Sequence, residues 1–543
     1  MCAKKFEISL MNDQMMRFCF SVIKKVVMTD PDVQVEALVS ETSLEYQLAF
    51  LCSLFLILLM VAIIGSNYVT HILRWHFLPE AGATIGIGII ASVLCLLKSG
   101  SIATSLMAFD PNFFFVGLLP PIIFNSGYTM KRRYFFENIT PILTYSILGT
   151  LTMSLVTGVL LYSVGRLGWV TKLSLAESLT FGSLINATDT VSILAVFQEL
   201  HVDPRLFYLV FGESSLNDAV AICLFTTFSK FIGYSYSFTP MLFAIFEFGL
   251  VFVGSTLIGV AFGMLPALLF KFSNLKSCLM HEVGVYVMFV YLPFTIAQIL
   301  EMSGVVAIIF AGIAMKHYAS PNLSKEAQEI CSRVFETIAY LAETAVFLNL
   351  GLSVFALQNG YNIIFIVFTA VFCLIARACN VYPLTALLNK RKGAAKITRN
   401  QQHMIWYSGL RGAVAFALAK SFPGEKRNEI IATTMIIILL SIFVMGGGTV
   451  SMLNALKIPR LTPEEELALD QTVKPYQNMR LLQFDNKYLI PFVTNLCESA
   501  DGTKGDTTQK HGRSKSFASQ KNDHDNGEED DVIEIVKREV RFT

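Results

Sequence analysis

Hydrophobic residues fall in long blocks along this chain, not in the alternating or evenly amphipathic pattern of a soluble fold. Between about Leu48 and Leu456, apolar runs long enough to cross a bilayer recur, separated by short polar loops. Read as helices, they predict about thirteen spans: Leu48–Ile64, Ala83–Leu97, Asn112–Tyr128, Pro141–Val164, Leu175–Leu200, Leu206–Phe231, Met241–Phe272, two sharing Val283–Met315, then Val334–Phe355, Ile363–Leu388, His403–Ala419 and Glu429–Leu453. The second is glycine-rich and suited to close helix packing. The third contains Pro120-Pro121, which should break its hydrogen-bond ladder. The seventh is too long for one upright helix and predicts a tilt. The pattern gives an all-α polytopic membrane protein with an N-terminal segment (1–47), a membrane domain (48–456) and a tail (457–543). Within the tail, Leu461–Leu469 and Tyr476–Phe492 read as short helices, and Cys497–Asp531 as disordered.

Polar residues interrupt three spans. The sixth carries Phe211-Gly-Glu-Ser-Ser-Leu-Asn-Asp-Ala-Val220. Ionisable groups inside a span are costly and therefore candidates for function. Ser214 and Asp218 are four apart and share a helix face, whereas Glu213 lies roughly 140° round the helix from Asp218. One acid can face an ion path while the other faces a neighbouring helix. The fifth span carries Asn186-Ala-Thr-Asp-Thr-Val-Ser192, and local unwinding there would free carbonyls to bind a cation beside Asp189. The twelfth carries Ser408-Gly-Leu-Arg-Gly-Ala413, a charge between two glycines. The breaks in the fifth and twelfth spans each lie one helix before the end of their half of the chain. That placement suggests an inverted repeat with the site at mid-membrane.

Composition agrees. The 543 residues are 54% hydrophobic and 15% charged, against about a quarter charged in soluble proteins. The net charge of +1 gives no case for nucleic acid. The ten cysteines are scattered and read as small buried apolar residues, not as a disulfide frame or zinc site. With the C-terminus in the cytosol, the cytosolic loops hold fifteen Lys and Arg, including Lys131–Arg133 and Lys390–Lys392, against seven on the other side. The basic N-terminal tail opposes this orientation. The sequons at Asn138 and Asn322 then fall on the cytosolic side, and the one at Asn186 in a span, so none should be glycosylated.

These residues permit a particular chemistry. The Asp218 carboxylate, the Ser214 hydroxyl and a carbonyl near Thr188 are hard oxygen ligands suited to an alkali cation, with Asp189 adding charge. Burial favours the protonated form of a carboxylate and a nearby cation favours its charged form. Cation and proton binding therefore compete, which suffices for coupled exchange if the site opens alternately to each side. Asn217 cannot titrate and can only orient its neighbours. A single titrating acid favours one-for-one, electroneutral exchange. Glu213 needs a buried partner, and spacing leaves Arg377 and Arg411 both open. Glu301 and Glu343 are further intramembrane acids, read as paired or facing a cavity, and Glu247 as lying near an interface. Arg411 suits a crossing of broken helices, where helix ends leave partial charges. Two acids on adjacent spans also raise an intramembrane aspartyl protease, but no Gly-x-Gly-Asp occurs. A cation channel would show a repeated filter loop or an acidic ring, and neither is present in the sequence.

Four stretches together resemble the cation/proton antiporter family, specifically the animal sodium/hydrogen exchangers: Leu119-Pro-Pro-Ile-Ile-Phe-Asn-Ser-Gly-Tyr128, Phe181-Gly-Ser-Leu-Ile-Asn-Ala-Thr-Asp189, Phe211–Val220 and Ser408–Ala413. The resemblance covers about residues 48–456. It implies a thirteen-helix fold with a core domain and a dimerisation domain, a homodimer among membrane lipids, elevator-type alternating access and no cofactor. It implies Na+, or alternatively K+, exchanged for protons at Asp218, with Asn217, Ser214, Asp189 and Thr188 completing the site and Asn217 marking the electroneutral branch. It favours Arg377 as the partner of Glu213 and places Thr190 and Arg411 at the helix crossing. Two positions depart from the family pattern. Thr190 stands where a proline is usual, and Asn125 where an acid is usual, which bears on cation affinity and inhibitor sensitivity. The resemblance further implies Golgi and endosomal membranes, or the apical plasma membrane, and a tail too short for calmodulin-type control.

Overall fold

The computed structural model describes residues 31–72, 78–98, 113–189, 191–233, 238–273, 278–355, 361–390, 396–462, 465 and 485–494. Thr190, residues 1–30 and most of the tail lie outside the described residues. The described residues are helical apart from turns, loops and two isolated bridges, Thr188–Arg411 and Val202–Arg460. In chain order the helices are α1 (Pro31–Asn67), α2 (Glu80–Lys98), α3 (Phe114–Tyr128), α4 (Ile139–Arg166), α5a (Leu175–Ile185), α5b (Val191–Glu199), α6 (Pro204–Ser229), α7 (Phe238–Phe272), α8 (Leu279–Ile299), α9 (Gly304–Ala314), α10 (Lys325–Ser353), α11 (Ile363–Asn389), α12a (Arg399–Tyr407), α12b (Ala413–Lys420) and α13 (Arg427–Gly446).

Among the described residues, nine helices are each long and apolar enough to cross a membrane alone. The remaining predicted spans are the short helices α2 and α3 and the two broken ones, α5 and α12. Large apolar side chains such as Phe246, Leu250, Val253 and Leu257 of α7, and Ile363, Ile364 and Val367 of α11, stay exposed. They form the lipid-facing surface a polytopic protein needs.

Pro120-Pro121 withholds two N–H groups from the ladder of the third span, as expected, but does not end the helix. The turn before it, Phe114–Leu118, is π-wound, and the prolines fall in the first turn of the α-helical part Leu119–Tyr128. The first N–H groups of an α-helical stretch have no α-helical acceptor within it, so proline is tolerated there and the helix continues. Small residues bring helices together elsewhere. At Gly88 and Gly351, a Cβ on either residue would strike the main chain of the other helix, so α2 and α10 pack backbone to backbone. Asn138 and Asn322, the two loop sequons, are both buried.

The polar stretches in the fifth and twelfth predicted spans are both real breaks. The α5 helix stops at Ile185 and resumes at Val191, and α12 stops at Tyr407 and resumes at Ala413. The two unwound segments cross as an antiparallel pair. Thr188 bridges to Arg411, and the Asp189 N–H donates to the Leu410 carbonyl at 2.9 Å.

A candidate ion-binding site at two broken helices

The crossing is built before any ion is considered. The glycines flanking Arg411 have separate reasons to be glycine. A Cβ on Gly412 would occupy the space of the Asp189 side chain, and one on Gly409 would press on Arg377. Asp189 therefore sits against the N-cap residue of α12b, where free N–H groups favour a negative group. Arg411 takes the complementary place. Its guanidinium donates to Asn186 Oδ1 at 2.9 Å, just past the C-terminal end of α5a, and its own N–H donates to Ser441 Oγ.

Asn217 on α6 holds the unwound strand of α5 in shape. Its amide donates to the Asn186 carbonyl at 3.2 Å and to Thr188 Oγ1 at 2.6 Å, and it accepts from Thr150 Oγ1 at 2.6 Å. The amide is thus occupied by the frame of the site. Ser214 Oγ donates to the Thr188 carbonyl at 2.6 Å, which brings a hydroxyl and a main-chain carbonyl together one turn from Asp218.

Glu213 points the other way, as its helical angle predicted. It forms a bidentate ion pair with Arg377 of α11, through Nη1 to Oε1 and Nη2 to Oε2, and both side chains are at most 3% exposed. Arg377 Nη2 also donates to the Ile405 carbonyl near the end of α12a. One buried pair therefore ties α6 to α11 and to a broken helix.

A cavity of about 50 Å³ opens beside the crossing. That volume holds a small ion with a few waters, at roughly 10–15 Å³ each by this measure. Asp218, Asp189 and Ser214 line one side. Ser126 of α3 and Glu343 of α10 contribute to its lining, and Gly412 and Ala413 close it at the crossing. Asp218 Oδ1 is buried and has no hydrogen-bond partner among the described residues. Among the described residues, no Lys or Arg lines the cavity. Among the described residues no group of three or more His, Cys, Asp and Glu is arranged to hold a metal ion, so the acids surround a space without forming a fixed cage.

The sequence profile of the family described as "Sodium/hydrogen exchanger, transmembrane" matches residues 55–455, most of the chain and every residue of this site. This chain belongs to the sodium/hydrogen exchanger family. Its similar relatives include human sodium/hydrogen exchanger 8, 38% identical over 419 residues that cover 75% of this chain and 72% of that one. Human sodium/hydrogen exchanger 9 is 40% identical over 428 residues, covering 72% of this chain and 65% of the relative. The fold is similar to that of the sodium proton antiporter MjNhaP1 from Methanocaldococcus jannaschii, with a TM-score of 0.60, 17% identity, and coverage of 76% of this chain and 99% of that one.

Other acids in the exchanger lie apart from the cavity or enter it unexpectedly. Glu301 is not within a span. It occupies the exposed turn between α8 and α9 with φ of 59°. Glu247 pairs with Lys230 at 2.7 Å near the end of α6. Glu343 reaches the cavity itself. Sequence reasoning missed Thr150, which orients Asn217, and Ser126 on the cavity wall. Neither carries a local signal, because a lone hydroxyl in a span more often bonds its own helix, as Ser126 also does to the Ile122 carbonyl.

Proposed function

We propose that this exchanger swaps one Na+ for one proton at Asp218, electroneutrally and by alternating access, and so regulates organellar and cellular pH. The observation that carries this reading is the Asp218 carboxylate: one buried oxygen has no hydrogen-bond partner among the described residues, and the side chain lines a cavity beside the Ser214 hydroxyl. A carboxylate so placed accepts either a proton or a cation but not both. Ser214, the Thr188 carbonyl and Asp189 add hard oxygen ligands suited to Na+, with K+ as the alternative cargo. Asn217, committed to the frame by three hydrogen bonds, brings no second titrating group from α6, which supports one-for-one exchange.

Residues 48–456 form the transport domain in this reading and 457–543 a cytosolic tail. The protein works as a homodimer in Golgi or endosomal membranes, with the apical plasma membrane as a second location. The test is purified protein in liposomes, with lumenal pH followed after Na+ or K+ gradients are imposed at clamped voltage. Wild type should show cation-driven proton flux that ignores voltage, and Asp218→Asn should abolish it. The gradient that drives the larger flux names the cargo. Flux that survives in Asp218→Asn overturns the site, and flux that follows voltage overturns the stoichiometry.

A further inference from the structure

Glu343 lines the transport cavity, yet the competition between proton and cation at Asp218 makes no use of it. Its position is specific. It lies on α10, and the cavity it shares with Asp218 of α6 and Asp189 of the crossing has no basic side chain in its wall among the described residues. The other lining residues of α3, α5b and α12b (Ser126, Leu194 and Ala413 among them) carry no ionisable group. Three negative charges around a space for one monovalent cation cannot all persist in a low dielectric, so protons must reside there as well. The Ser214 hydroxyl, which lines the cavity one turn from Asp218 on α6, donates to the Thr188 carbonyl, so the neutral oxygens proposed as cation ligands lie on the Asp218 side. Glu343 has no hydrogen-bond partner among the described residues and stands next to Phe347, which leaves it suited to a proton and not to the cation.

Glu343 is also connected outward. Tyr340 lies three residues earlier on the same face of α10. Its hydroxyl donates to Glu80 Oε1 at 2.7 Å, and Ser66 Oγ of α1 lies 3.5 Å from the same oxygen. Glu80 is exposed in the first turn of α2. Glu343 is within Coulombic reach of Glu80 on one side and Asp189 on the other, and Asp218 is within reach of Glu343. Glu282 of α8, the acid from the remaining helix against α10, sits at the far end, bonded to Ser324.

We propose that Glu80, Tyr340 and Glu343 form a proton relay to Asp218 from the membrane face where α2 begins, the cytosolic face in the orientation above. This inference rests on Asp218 being the transport acid. When the cation leaves Asp218, the Glu343 carboxyl gives its proton to the Asp218 carboxylate through cavity water and is reprotonated from the Glu80 side. Glu343 ends each cycle as it began, so one cation still exchanges for one proton.

The test separates proton coupling from cation movement. Reconstituted wild type and Glu343→Gln are compared in Na+/H+ exchange, read by lumenal pH, and in Na+/Na+ exchange, read with radiolabelled sodium at equal pH on both sides. The relay requires Na+/H+ exchange to slow by about tenfold or more while Na+/Na+ exchange stays within about threefold of wild type. Both rates unchanged, or both falling together, overturns it. Should Glu343→Gln not fold, Tyr340→Phe decides: it must slow Na+/H+ exchange by about threefold and spare Na+/Na+ exchange, and any other result overturns the relay. Asp218→Asn should stop both exchanges. If it does and Glu343→Gln changes neither, the relay falls and the proposed function stands. If exchange survives in Asp218→Asn, the function on which the relay rests falls first.

Discussion

At the scale of single residues, two neighbours in one motif do opposite work because the helix turns them apart. Glu213 is spent on Arg377, and neither side chain meets solvent. Removing one partner of such a pair strands a buried charge, at a cost of about 3–5 kcal/mol, whereas replacing both with apolar residues is often close to neutral. Glu213→Leu and Arg377→Met should each lower the melting temperature in detergent clearly, and the double variant should melt nearer wild type than either single. Equal or additive losses would contradict this account. Asn217 gives a second prediction. Its amide donates to the Asn186 carbonyl, and an ionised aspartate there would face that carbonyl oxygen with no proton to offer. Asn217→Asp should therefore lose transport by about tenfold or more, the scale of a misplaced site group, and should not convert the protein to voltage-driven exchange. Flux measured against imposed voltage distinguishes the two.

At the scale of elements, the broken helices were readable in the sequence because polar residues and glycines interrupt otherwise apolar spans. The pairing of the breaks was not. Nothing in Asn186–Ser192 says that Thr188 will bridge to Arg411, or that Gly412 is glycine because Asp189 fills its side-chain space. These are tertiary facts between residues more than two hundred positions apart. The wall contributed by α3 was hidden for the same reason, and the π-wound turn before Pro120 absorbs a defect that a local rule reads as a break. Glu301 marks the junction of the eighth and ninth spans in the sequence, but it reads as an intramembrane acid there and stands in an exposed turn, because hydropathy does not say how deep a junction lies. The glycine yields a prediction at this scale. Gly412→Ala should push Asp189 out of position and cut exchange by about tenfold or more, while the melting temperature moves far less than in the Arg377 variants. A fully active Gly412→Ala protein would mean that Asp189 need not sit at the start of α12b.

At the scale of the whole molecule, part of the tail belongs to the membrane-embedded body. Residues 485–494 lie in the same compact unit as the helices. Asp485, almost fully buried, pairs with His317 at 2.9 Å and accepts from the Tyr318 hydroxyl at 2.6 Å, just beyond α9. Lys271, at the end of α7, donates to the carbonyls of Pro491, Phe492 and Thr494, where a helix C-terminus leaves acceptors unpaired. Asn322 joins the Ala267 carbonyl of α7 to the Val493 carbonyl of the tail. These bonds are made at one end of α7, α9 and α10, and α9 packs on α3, whose residues line the cavity. The segment should therefore contribute to stability like an extra element of the domain. A chain ending after residue 495 should melt like the full-length protein. One ending before Asp485 should melt at a lower temperature, and Asp485→Ala alone should account for about 1–3 kcal/mol of the loss, because it removes the acceptor that both His317 and Tyr318 use.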